Sequence, residues 1–184
     1  MPFAYYARLS RRQKAIYDKS DGVTEVRLSA AESLHPVVSA LGEALAREER
    51  AKTQSACQCL LDGLTAALAV GPVRVEVLAA RPHAHWGELH GLYTEARGAR
   101  PPKITLWMRT ARQRRVVAFR TFLRTLLHEL CHHLDYRRFR LADSFHTQGF
   151  YKRESSLFQQ LIPDTADSHG HGSGIDGTDS PNRR

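Results

Sequence analysis

A chain of 184 residues, 42% hydrophobic and 25% charged, is long enough to bury one sizeable core and has the composition of a single globular domain. Its three cysteines exclude a disulfide framework, since Cys57 and Cys59 are too close in a helical segment to pair sensibly and Cys131 falls in another; a reducing compartment is expected. The formal charge of +8 becomes +10 for the body once the segment from Asp164, four aspartates against two arginines, is set aside, a surplus that favours encounter with nucleic acid but also fits a well-solvated basic surface.

The N-terminal stretch MPFAYYARLSRRQK has no apolar run of secretory type, and nothing approaches the ~18 apolar residues of a membrane span, so a cytoplasmic protein with no membrane partner is expected. Ser10 and Gln13 form a capping-box pattern that predicts a short helix from about Arg11 to Lys19. Arg8, Arg11, Arg12 and Lys14, interleaved with Tyr5, Tyr6 and Tyr17, can track a phosphate backbone and stack on bases; equally, the tyrosines can pack on the domain while the cations face water.

Val23 to Leu28 reads as a strand or extended connector, and Ser29 with Glu32 offers a second capping box. Pro36 either opens the helix that follows or kinks it. Val38, Leu41 and Leu45, then Cys57, Leu60, Leu64 and Leu68, recur at helical spacing around the polar segment REERAKTQSA, as one long helix or two with a scaffolding role. Gly71-Pro72 is expected to end this region. VRVEVLAA, GELHGLYTE and KITLWMR then predict a small sheet of three strands, the last two joined by ARGARPP. His83, His85 and His90 lack the geometry of an i, i+4 pair and read as surface or loop-packing residues rather than a second metal site. Thr110 and Gln113 give a third capping-box pattern ahead of the next helix, where Arg109, Arg112, Arg114 and Arg115 would oppose the helix dipole; an anionic partner is one reason to keep such a cluster.

The strongest signal is His128-Glu129-Leu130-Cys131-His132 within FRTFLRTLLHELCHHLDYRRF. At about 100° per residue, His128, His132 and Asp135 share one helical face with Thr121, Arg124 and Thr125, while Phe119, Leu123, Leu126, Leu130 and Leu134 occupy the opposite one. Two imidazoles one turn apart can grip one Zn²⁺, and Glu129, a quarter-turn away, can reach a water there as general base. A catalytic zinc needs a third ligand. His146, at the start of the next predicted helix, is the first choice; Asp135 is the alternative, better suited to a bond with an imidazole N–H than to ligation, because it sits on the same rigid helix. His133 points away from the metal face and reads as a core or boundary residue. After Ile162-Pro163, the Gly-, Ser- and Asp-rich segment, including His169 and His171, is expected to be disordered.

TLLHELCHHLD followed by FHTQGF resembles the SprT-like (Spartan-type) zincin metallopeptidases, over roughly residues 73 to 161. The resemblance implies an α+β zincin-like domain with a small three-stranded sheet against the HExxH helix. It makes His128, His132 and His146 zinc ligands and Glu129 the catalytic acid/base, and it implies an edge strand that takes an extended substrate. The cysteine-rich zinc ribbon of some members has no counterpart after the HExxH segment. The expected organisation is a basic arm over 1–30, the metallopeptidase domain over 31–162 and a tail over 163–184. Tyr151, Tyr93 and Arg124 are candidate oxyanion stabilisers. The expected partners are a protein or peptide substrate and, weakly and without sequence preference, DNA. The alternatives are a nucleic-acid-binding or regulatory module with a structural or inactive zinc, and a protease that clips a repressor.

Overall fold

Ser10 closes the N-terminus of α1 (Arg11–Asp21) in a reciprocal capping box: the Gln13 amide donates to Ser10 Oγ and the Ser10 amide to Gln13 Oε1. The structure is a computed structural model and describes residues 2–82 and 89–162. Val23 to Leu28 is an extended connector without strand pairing, held by the last helix: Gln160 accepts from the Leu28 amide at 2.8 Å and donates to the Val26 carbonyl at 2.7 Å.

The cap expected at Ser29 and Glu32 does not form. Ala30 takes φ 55° and leads into a 3-10 turn at Ala31–Leu34, which separates Ser29 from the helix proper, α2 (His35–Ala46), with Pro36 in its first turn. α2 and α3 (Arg50–Ala67) are two helices. Glu48, at φ 59°, reverses the chain, and the Glu48 and Glu49 amides close back on the carbonyls of Leu45 and Ala44. α3 stops ahead of Gly71-Pro72 for a similar reason: Ala69 takes φ 51°, and the Ala69 and Val70 amides bond to Ala66 and Thr65.

β1 (Arg74–Ala80), β2 (Gly91–Thr94) and β3 (Lys103–Arg109) form one sheet of order β1-β3-β2, with β1 parallel and β2 antiparallel to β3. Ile104 to Met108 of the central strand are all buried, as a strand covered on both faces requires. The outer edge of β1 is closed by α3, where Gln58 accepts from the Val75 amide at 2.9 Å and Gln54 from the Val77 amide at 3.0 Å. β2 is the other edge and lies against α4 (Phe119–Arg137).

Thr110 does not cap α4. The Thr110 amide donates to Arg115 at 2.9 Å and the Val117 amide to Met108 at 2.8 Å, so the chain leaving β3 doubles back before the helix begins at Phe119. Arg112, Arg114 and Arg115 are exposed on this turn and Arg109 pairs with Glu48, so the expected conflict with the helix dipole does not arise.

Leu123, Leu126, Leu130 and Leu134 of α4 enter one core with leucines of α2 and α3, the inner face of the sheet and Phe150 and Leu157 of α5 (Gln148–Leu161). Each fully buried leucine contributes about 1.5–3 kcal/mol. Segment 2–30 is bound onto this body. A Cβ on Gly149 would lie 2.4 Å from the Asp21 carbonyl oxygen, and the Gly149 amide donates to Asp21 Oδ1 at 2.8 Å. Fully buried Arg153 donates to the carbonyls of Ser20 and Val23, each at 2.6 Å. Among the described residues this is a mixed α+β fold of five α-helices and a three-stranded sheet, and no helix is long and apolar enough to cross a membrane. The segment 163–184, with His169 and His171, and His83 and His85 lie outside the described residues.

Candidate metal centre

α4 carries His128 and His132 one turn apart, and their Nε2 atoms stand 3.0 Å and 3.1 Å from Nε2 of His146. His146 immediately precedes Thr147, whose side chain caps α5 by accepting from the Phe150 amide at 2.9 Å; the start of α5 therefore fixes the third ring. One ring nitrogen from each histidine lies within 4.8 Å of the others.

The second ring nitrogens decide where the lone pairs point. Nδ1 of His128 lies 3.1 Å from Glu154 Oε2, and because a carboxylate only accepts, Nδ1 carries the proton. Ser144 Oγ lies 2.6 Å from Asp135 Oδ2 and 2.7 Å from His132 Nδ1. Its single proton goes to the carboxylate, so its oxygen accepts from His132 Nδ1–H. In the neutral tautomers this leaves, Nε2 of both α4 rings carries the free lone pair and faces Nε2 of His146. Burial pushes His132 down to about 3, with His128, His146 and Arg153 adding to it. His146 is lowered as well, by burial and His128 against an opposing pull from Glu154. These two rings stay neutral, the form that binds a metal. Three converging imidazoles, two of them anchored through Nδ1, are a donor set that fits one metal ion with a coordination position left open.

Asp135, weighed as an alternative ligand, is fully buried and turned from the centre: Oδ1 accepts from Arg153 at 2.7 Å and Oδ2 from Ser144. It reaches His132 only through the serine. Burial raises its pKa, while Arg153 and Ser144 pull it back.

Glu129 is 6% exposed and opens onto a cleft of about 680 Å³ between α4 and β2, beside the three histidines. Burial raises its carboxyl to about 7, against the pull of His128 and of the Tyr93 backbone. Arg124 also lines the cleft, but its guanidinium donates to Glu154 Oε1 at 3.3 Å and stacks on the Phe158 ring at 4.0 Å. Tyr93 lines it with its hydroxyl turned to His133 Nδ1, 3.1 Å away. Tyr151 stacks on His146 at 5.9 Å and is not among the cleft walls.

Sequence reasoning missed Ser144, Glu154 and Tyr136. Tyr136 lines the cleft one turn beyond His132, and the i, i+4 rule that joined His128 to His132 extends to it. No spacing signal points to Ser144 or Glu154. His90, read as a loop residue, is on the cleft wall.

The N-terminal tyrosines pack on the domain. Tyr17 is buried, and Tyr5 donates to the His146 carbonyl at 2.8 Å. Lys14 lies over the Tyr6 ring at 5.3 Å, while Arg8, Arg11 and Arg12 are exposed. No protein-family model, curated protein or solved structure matches this chain.

Proposed function

We propose that this chain is a zinc-dependent metallopeptidase of zincin-like architecture, of the SprT-like type its two histidine segments resemble, hydrolysing peptide bonds with an activated water. The observation that carries the reading is the convergence of Nε2 of His128 and His132 on Nε2 of His146 beside a buried carboxylate in one cleft.

Zinc held by His128, His132 and His146 would supply a Lewis acid for the water and the scissile carbonyl. Glu129 takes the proton of the attacking water and returns it to the leaving amine nitrogen, so no covalent acyl-enzyme is required. Its burial suits that exchange, since a carboxyl lifted from its ordinary range gives up a proton more evenly. Glu154, and Asp135 through Ser144, hold two ligand rings in the tautomer that ligates. β2 offers its edge to an extended substrate, while the opposite edge of the sheet is occupied by Gln54 and Gln58. With the Tyr93 hydroxyl given to His133, the second tyrosine of the cleft wall, Tyr136, is the candidate donor to the oxyanion.

A closed structural zinc would need a fourth protein ligand, and Asp135 is already held by Arg153 and Ser144, which favours the open catalytic site. The exposed Arg8, Arg11 and Arg12 support DNA-associated proteins as substrates. Elemental analysis tests the ligand set: one zinc per chain is expected in the wild type, lost in His128→Ala, His132→Ala and His146→Ala. Full zinc in His146→Ala contradicts it.

A further inference from the structure

His133 is fully buried and outside the ligand set, yet both its ring nitrogens have partners. Nε2 lies 2.8 Å from the carbonyl of Gly71, in the connection from α3 to β1, so Nε2 carries the proton. Nδ1 is then bare, and at 3.1 Å it accepts from the Tyr93 hydroxyl. An apolar side chain would fill this space without needing two partners for its polar atoms.

Tyr93 connects this bond to the candidate general base. It belongs to β2, the strand that lines the cleft beside the Glu129 carboxylate. Two positions earlier, a Cβ on Gly91 would lie 2.6 Å from Glu129 Oε1. β2 therefore borders the carboxylate, yet it is a strand of four residues at the sheet edge, the kind of element that opens locally. Something must hold it to α4, and a directed bond from a helix residue does so.

We infer that His133 is a positioning residue: through the Tyr93 hydroxyl it pins β2 to α4 and so keeps the strand, with Gly91, against Glu129. Its effect on catalysis rests on the peptidase reading; its effect on β2 does not. Tyr93→Phe removes the hydroxyl and leaves the ring, which stacks on Tyr136 at 5.9 Å. His133→Phe removes the acceptor.

The test uses the zinc-loaded full chain with two readouts, amide hydrogen exchange and peptide hydrolysis. In both variants the amide at position 93 should exchange roughly five- to tenfold faster, the shift expected when one hydrogen bond is lost, with β1 and β3 amides unchanged. The kcat should fall about tenfold with KM and zinc content unchanged, as misplacing a reacting group implies. The double variant should be no slower than the worse single one, because both break the same connection. His133→Asn, whose Oδ1 can accept from Tyr93, should recover part of the loss. Unchanged exchange at position 93 in Tyr93→Phe overturns the inference, as does faster exchange with wild-type kcat. Should His133→Phe fail to fold, Tyr93→Phe alone decides. A wild type without peptidase activity whose position 93 still loosens in Tyr93→Phe would sink the peptidase reading and support the pin.

Discussion

Gly91 and Glu129 share a space that one methyl group would fill: a Cβ on Gly91 would stand 2.6 Å from Glu129 Oε1 and 2.8 Å from its Cγ. Thr125 Cγ2, also at 2.8 Å, closes the other side, so neither the strand nor the carboxylate has free room. Gly91→Ala should therefore displace Glu129 or β2 while leaving the three histidines alone. The expected result is retained zinc with peptide hydrolysis lowered on the order of 10²-fold, the cost of an ångström's misplacement. Steady-state kinetics beside elemental analysis checks this, and wild-type kcat in the alanine variant would contradict it.

Ser144 joins a buried ion pair to a ligand ring. Ser144→Ala should lower zinc affinity by roughly 10- to 100-fold, the usual effect of removing a group that orients a ligating histidine. Competition with a chelator measures it. Asp135→Ala should act differently: it leaves the Arg153 guanidinium buried without its carboxylate, a loss of about 3–5 kcal/mol, so that stability fails before metal binding. Thermal unfolding distinguishes the two.

Protons compete with zinc for imidazole only as the ring pKa is approached from above. Because burial holds His132 near 3 and lowers His146, falling pH should begin to displace zinc from these two rings only below the ordinary histidine range. The metal-free fold carries a matching signature. For His132, whose folded pKa is depressed, the unfolded chain binds more protons, so stability is lost as pH falls from 6.5 toward 3. Glu129, raised from 4.5 to about 7, acts in the opposite sense: the folded chain binds more protons, and stability is lost as pH rises across that interval. Zinc release measured across pH should show retention at about pH 6; release beginning nearer 7 would contradict the buried, neutral setting of these rings.

Much of the centre was legible because it is local. The i, i+4 histidines need only helical phase, and His146 needed only a helix start after a short connection. Ser144 and Glu154 were not legible, since their bonds to His132 and His128 join different segments at spacings with no periodicity. Asp135 shows the limit of phase: it belongs by angle to the metal face, but Arg153 from α5 holds its Oδ1 in the interior. Thr110 shows the limit of short motifs, because a three-residue spacing cannot reveal that the strand before it folds back as far as Val117. The N-terminal tyrosines were ambiguous until Phe145 and His146, ahead of α5, supplied the surface they pack against.

That packing changes how nucleic acid is tested. Deleting the first 20 residues would remove the Tyr5 bond to His146 and the buried Tyr17, damaging the metal centre along with the charge. Substituting Arg8, Arg11 and Arg12 together by alanine removes the charge alone. Binding of single-stranded DNA, followed by fluorescence anisotropy across salt, should then lose about 0.7 from the slope of log affinity against log salt for each phosphate contact removed. No binding at about 50 mM salt, or an unchanged slope, would take DNA out of the account.

In the proposed reaction Glu129 acts as the base beside a bound zinc. An amide cannot accept the water proton, yet glutamine has the shape of glutamate and fills the same space beside Gly91. Glu129→Gln, purified beside the wild type and assayed on an unstructured protein such as casein, should hold one zinc per chain and keep its unfolding temperature while peptide hydrolysis falls to background. Hydrolysis by Glu129→Gln at the wild-type rate, with zinc bound in both, would contradict the assignment.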